Sequence, residues 1–132
     1  MKILCLNCGS SSLKYLLYDW TKKTTLASGL VERVTNSGSF IKHGMPGREE
    51  VVINKDCPTH QTAIQLVLDT LVHPEHGVLK SPADVSAVGH RVVHGGEKFT
   101  KSVIITDEVF NQICATSDLA PLHNPPNIMG IE

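Results

Sequence analysis

The 132-residue sequence predicts an α/β domain in which strands come first and helices later. Three observations carry that expectation. Apolar runs at residues 2–8, 12–19 and 25–34 are joined by links too short for crossovers, which makes them antiparallel neighbours. Ile64, Val67, Leu68, Leu71 and Val72 repeat at i, i+3, i+4, i+7 and i+8, the stripe of a half-buried helix. A Val-rich run from Asp84 to Val93 then reads as another strand.

In chain order, Lys2 to Cys8 and Ser12 to Asp19 flank a Gly/Ser tip, and the polar link Trp20–Thr24 leads into Thr25 to Val34. Ser39 to His43 and Glu50 to Asn54 are weaker strand candidates joined by the turn Gly44-Met45-Pro46-Gly47. Pro58 lies near the start of the first helix, where proline is tolerated, and Pro74 and Gly77 end it. Gly95-Gly96 closes the Asp84–Val93 strand, and Val103 to Ile105 reads as a further short one. Thr106 can cap a second helix, with Asp107 and Glu108 suited to its positive end and Val109, Phe110, Ile113 and Cys114 as its apolar face. Asn124 can cap and Pro125 can open a third helix, which reaches Glu132 after about two turns, a marginal length for an isolated helix. Residues 1–132 therefore read as an incomplete N-terminal domain, the front of a longer protein.

Composition removes several function classes. Hydrophobic residues make up 41%, charged ones 19%, and the net charge is −1, so no basic excess drives nucleic-acid binding. An aromatic content of 5% leaves little for base stacking. No segment approaches the ~18 apolar residues of a membrane span. The N-terminus lacks the apolar region of a signal peptide, so a soluble cytoplasmic protein is the default expectation. Four cysteines occur, at Cys5, Cys8, Cys57 and Cys114. The C-x-x-C spacing of Cys5 and Cys8 can signal redox or zinc chemistry, but residues three apart on a strand point to opposite faces, about 10 Å apart. That exceeds disulfide reach, and no second C-x-x-C completes a zinc site. All four read as reduced, mostly structural thiols.

Three runs can carry chemistry. Asn7-Cys8-Gly9-Ser10-Ser11-Ser12-Leu13-Lys14 offers backbone N–H groups, three hydroxyls and an ammonium, which is what a bound phosphate needs. On composition alone an ordinary hairpin turn is the simpler reading. In Gly89-His90-Arg91-Val92-Val93-His94-Gly95-Gly96, two histidines stand four apart, a metal-ligand spacing on a helix. On a strand they lie about 13 Å apart, too far to share one metal. Arg91 and Val93 share a face at the C-terminal end of that strand, where α/β proteins tend to bind ligands. A small carboxylic acid with a short alkyl group matches the pair, carboxylate to Arg91 and alkyl to Val93, although on this spacing alone a surface salt bridge is the favoured reading of Arg91. In Pro121-Leu122-His123-Asn124-Pro125, prolines stiffen a loop that can hold Leu122 and His123 in set directions, and His123 can stabilise charge or shuttle a proton. No G-x-x-x-x-G-K-[ST], G-x-G-x-x-G or G-x-S-x-G occurs, which argues against a P-loop ATPase, a dinucleotide site and an acyl hydrolase.

Taken together, and with Gly29-Leu30-Val31-Glu32-Arg33, these runs resemble the acetate kinase (acetokinase) family along the whole chain. The resemblance implies the actin-like ATPase, ribonuclease H-like fold, with a mixed sheet and helices and with ATP between two such domains. It implies reversible transfer of the γ-phosphoryl of ATP to acetate, with Mg2+, by a cytoplasmic homodimer. By the same resemblance Asn7 is an active-site residue near the phosphoryl group and the metal. Ser10, Ser12 and Lys14 are its polar companions, Arg91 binds substrate, His123 contacts the phosphoryl group, and Val93 and Leu122 wall the methyl pocket. Family members are much longer, so further catalytic, metal and adenosine-binding residues lie beyond Glu132, and the chain alone is expected to have little activity. A propionate- or butyrate-preferring sibling and a non-catalytic actin-like nucleotide-binding module are the alternatives.

Overall fold

The computed structural model describes residues 1–92, 101–117 and 124–132. Strands β1 (Lys2–Cys8), β2 (Ser12–Asp19), β3 (Thr24–Glu32), β4 (Phe40–Gly44), β5 (Val51–Asn54) and β6 (Ala87–His90) form one sheet in the order β5-β4-β3-β2-β1-β6. The pairs from β1 to β5 are antiparallel, and β6 joins β1 in parallel after the helical excursion. The sheet is therefore mixed.

Period-2 alternation explains which side faces the core. Leu4, Leu6 and Cys8 of β1 and Leu13, Tyr15 and Leu17 of β2 are buried, whereas Cys5 and Lys14 are exposed. Helix α1 (His60–Leu71) lays Ala63, Leu66, Val67 and Leu71 onto that apolar face. Leu13 and Leu17 are fully buried, and each contributes about 1.5–3 kcal/mol by leaving water. Thr59 starts α1 through a capping box: its hydroxyl accepts from Thr62 N–H at 3.1 Å, and the Thr62 hydroxyl accepts from Thr59 N–H at 3.1 Å. Helix α2 (Asp107–Ala115) starts at Thr106, whose hydroxyl accepts from Val109 N–H at 3.2 Å. Helix α3 (Asn124–Ile131) packs on the same sheet face as α1, with Gly130 against Cys8 and His90.

Several sequence expectations need correction. The third strand ends at Glu32 rather than Val34, because Arg33 (φ 58°) and Thr35 (φ 70°) turn the backbone into the left-handed region. Helix α1 stops at Leu71, before Pro74 and Gly77, and the Leu71 carbonyl accepts from Val78 N–H and Leu79 N–H instead of continuing the helix. The Asp84–Val93 strand shrinks to Ala87–His90. Ser81 caps a 3-10 turn at Pro82–Asp84, and the Asp84 carboxylate takes the Lys80 and Ser81 N–H groups. Val103 to Ile105 form no strand and lie exposed. Val93, His94, Gly95, Gly96, Pro121, Leu122 and His123 lie outside the described residues.

One polar strut crosses the core. The Tyr15 hydroxyl bonds His43 Nδ1, and His43 Nε2 donates to the His76 carbonyl at 2.9 Å. A carbonyl can only accept, so His43 carries its proton on Nε2 and takes the tyrosine hydrogen on Nδ1. Burial pushes His43 below its ordinary 6.5, and it does the same to His90. The unfolded chain then binds more protons than the folded one as pH falls through 6.5, so the stability from neutral rings is full above that value and is lost below it. The urea midpoint is expected to fall between pH 7.5 and pH 5.5, and less so in His43→Gln, which can keep both hydrogen bonds without titrating. Equal midpoints at the two pH values would refute the strut's neutral state.

Candidate active site

Hydrogen-bond register assembles the site from three strands. Asn7 of β1 pairs with Lys14 of β2. On the other side, β1 and β6 run in parallel with Leu6 opposite His90, and Arg91 N–H donates to the Leu6 carbonyl at 3.0 Å. Arg91 therefore continues the register beside Asn7. Lys14, Asn7 and Arg91 form one row across the sheet, on the face opposite α1 and α3, with cross-strand neighbours about 5 Å apart. They line an open cleft of about 730 Å³ together with Cys5, Ser28 and Gly89.

The electrostatics favour an anion. Lys14 and Arg91 are both exposed, and among the described residues neither has a carboxylate within ion-pair distance. Among the described residues no carboxylate forms the surface salt bridge weighed for Arg91. Lys42, farther along the same face, is paired with Glu32 at 3.7 Å. Asn7 stands between the two unpaired cations as a neutral donor and acceptor.

The hairpin tip sits at one end of this row. Gly9 N–H donates to the Ser12 carbonyl at 2.8 Å, and a Cβ on Gly9 would lie 2.8 Å from Ser12 Oγ, so a larger residue there would push the Ser12 hydroxyl aside. Ser12 alternates with buried Leu13 and so shares the face of Lys14, while Ser10 is exposed at the tip. The structure thus brings Asn7, Ser12, Lys14 and Arg91 to one face and Ser10 to its rim. Val93, Leu122 and His123 lie outside the described residues.

His90 lines the cleft, but its ring turns away from it. Its Nδ1–H donates to the Arg91 carbonyl at 2.7 Å, and its bare Nε2 faces Gly130 of α3 on the covered side of the sheet. Among the described residues no group of three His, Cys, Asp or Glu could hold a metal ion. Cys5 and Cys8 lie on opposite faces, as strand geometry requires, and all four cysteines are free. Burial raises Cys8 to about 11, which makes it a poor nucleophile.

Sequence reasoning missed two contacts behind the tip. His60 Nε2 donates to the Gly9 carbonyl at 2.6 Å, and Asn127 Nδ2 donates to the Cys8 carbonyl at 2.8 Å. The first links partners 51 residues apart and the second 119, so no local spacing could have signalled them. The cleft-lining roles of Cys5, Ser28 and Gly89 were missed too, and only pairing register reveals them.

Known proteins share this sequence pattern and this fold. The acetate kinase of Trichlorobacter lovleyi is 58% identical over 132 residues, covering 100% of this chain and 31% of that relative. The crystal structure of Porphyromonas gingivalis acetate kinase matches with a TM-score of 0.94 at 49% identity, over 98% of this chain and 33% of that one. A propionate kinase from Francisella tularensis matches with a TM-score of 0.84 at 35% identity, over 98% of this chain and 32% of that one. The chain spans 31 to 33% of the length of the curated relatives it matches. The fold is that of the actin-like ATPases, as the resemblance implied. The acetokinase family profile matches residues 2–132, essentially from end to end, and the chain belongs to that family.

Proposed function

We propose that residues 1–132 supply the phosphate-facing and carboxylate-holding wall of an acetate kinase, which transfers a phosphoryl group reversibly between ATP and acetate. The observation that carries this reading is the row Lys14–Asn7–Arg91, with neither cation paired among the described residues and both facing one open cleft. Identities of 58% and 49% to acetate kinases support it.

In this reading an acetate oxygen forms a bond to the γ-phosphorus as the bond to the bridging oxygen of ADP breaks. Such a transfer needs in-line placement and neutralisation of the equatorial oxygens more than covalent help from the protein. Arg91 grips the carboxylate through its planar fork and removes repulsion between two anions. The amide of Asn7, together with His123, stabilises the charge in flight, while Ser10, Ser12 and Lys14 hold phosphate oxygens. Val93 and Leu122 wall the methyl group. Asn7 offers one amide oxygen, and Mg2+ commonly keeps several waters and shares phosphate oxygens, so the donor set fits the ion only as a single protein ligand or through water. A bound Mg2+, held through Asn7, would supply neutralisation of phosphate charge. The whole protein works as a homodimer in the cytoplasm; among the described residues no helix is long and apolar enough to cross a membrane.

A propionate-preferring sibling is a second reading, raised by the 35% identity to the Francisella propionate kinase. One methylene in an apolar pocket discriminates by only about 1–3 kcal/mol, so kcat/KM for acetate and propionate decides between them. The unpaired Arg91 weighs against a non-catalytic nucleotide-binding module, which has no use for a carboxylate clamp.

Titrating the 15N-labelled chain with acetyl phosphate is expected to shift the signals of Asn7, Lys14 and Arg91. No shift there, or shifts confined to the α1 face, would remove the reading.

A further inference from the structure

We propose that His60 and Asn127, which never face the cleft, are positioning residues that aim the hairpin tip at the phosphate from behind the sheet. The inference rests on the phosphate-facing role given to the tip above.

The geometry starts with the peptide plane. In a trans peptide the C=O and the following N–H point in opposite directions. His60 Nε2–H holds the Gly9 carbonyl at 2.6 Å from the α1 side, so the Ser10 N–H is aimed away from the helices, toward the open face. Asn127 holds the preceding carbonyl, Cys8, at 2.8 Å, which fixes the backbone immediately after Asn7. Val34 N–H takes the Ser11 carbonyl at 2.9 Å, and Gly9 N–H takes that of Ser12. Four carbonyls around the tip, those of Cys8, Gly9, Ser11 and Ser12, are thus satisfied by protein donors.

This matters for an anion. A carbonyl oxygen turned toward a phosphate repels it, and a tip free to rotate would expose those oxygens part of the time. His60 is 3% exposed and Asn127 fully buried, so both donors are held rigidly by the core. They come from the N-terminus of α1 and from α3, which gives two independent anchors on consecutive peptides. The orientation cost of binding is met during folding rather than at the moment an anion arrives.

The test uses the whole 132-residue chain, 15N-labelled, with inorganic phosphate as the probe. His60→Leu and Asn127→Leu are each expected to raise the phosphate Kd about tenfold, the loss of roughly one net hydrogen bond's worth of orientation. Amide exchange at Gly9, whose N–H is bonded to the Ser12 carbonyl, should speed up in His60→Leu. His60→Gln, which keeps an N–H donor, should stay within about threefold of the parent Kd. Val67→Ala serves as the control: it removes buried methyl groups from α1, away from the tip, and should lower the urea midpoint while leaving the phosphate Kd unchanged. An unchanged Kd in both leucine variants, or an equal rise in Val67→Ala, overturns the positioning role while leaving the phosphate site itself standing. A parent chain that shows no response to phosphate overturns both.

Discussion

Replacing Arg91 by alanine is expected to lower kcat/KM for acetate by about 10²–10³-fold, the scale on which removing a single preorganised charge-stabilising donor acts. The measurement needs a complete enzyme, and a suitable one is Porphyromonas gingivalis acetate kinase with its first third exchanged for this chain, given the match at a TM-score of 0.94. The guanidinium stands beside Asn7 because Arg91 N–H is bonded to the Leu6 carbonyl, so truncating the side chain leaves the backbone register intact. Stability should therefore hardly change, since an exposed side chain without an ion partner contributes little to it. Arg91→Lys should recover only part of the activity, because an ammonium is a point charge and cannot match a carboxylate at two atoms. An Arg91→Ala enzyme within threefold of the parent would refute the carboxylate role.

Gly29→Ala is expected to act on folding rather than on chemistry. Gly29 lies between Tyr15 on β2 and His43 on β4 in the strand register, on the covered face of the sheet. The tyrosine ring lies across it to reach the histidine, with ring centroids 5.9 Å apart and planes inclined by 14°. A methyl group at residue 29 would collide with the Tyr15 ring and also with the Lys42 carbonyl. Shortening Tyr15 cannot relieve the second clash, since it involves backbone of the neighbouring strand. A loss of about 3 kcal/mol or more is expected, at the upper end for overpacking, and the readout is the urea midpoint. A midpoint within experimental error of the parent would show that β3 can shift to accommodate the methyl group.

Strands and the first helix were legible because local pattern and burial agree. β1 and β2 alternate cleanly, the Gly/Ser tip is a strong turn signal, and the stripe from Ile64 to Val72 overlaps the buried face of α1 at Val67 and Leu71, although that face is centred one residue earlier, on Ala63, Leu66, Val67, Thr70 and Leu71. The region after α1 was harder, since Ser81 and Asp84 satisfy nearby N–H groups and hold residues 82–84 in a turn that a Val-rich pattern conceals. In the site, Asn7, Ser12, Lys14 and Arg91 could be chosen by residue type. That three of them form a row follows from pairing register, which chain order does not encode directly. The supports from His60 and Asn127 and the crossing of Tyr15 over Gly29 depend on packing between distant segments, and each looks ordinary when read along the chain.

Because the cationic row runs across three strands instead of along one loop, its spacing is set by the ladder that also defines the fold. The Lys14–Asn7 rung lies between two paired strands, whereas Arg91 stands one residue past edge strand β6, held there by its N–H bond to the Leu6 carbonyl. Fraying at that edge should accordingly weaken the grip on an anion before the sheet as a whole unfolds, so affinity should fall at a lower denaturant concentration than secondary structure does.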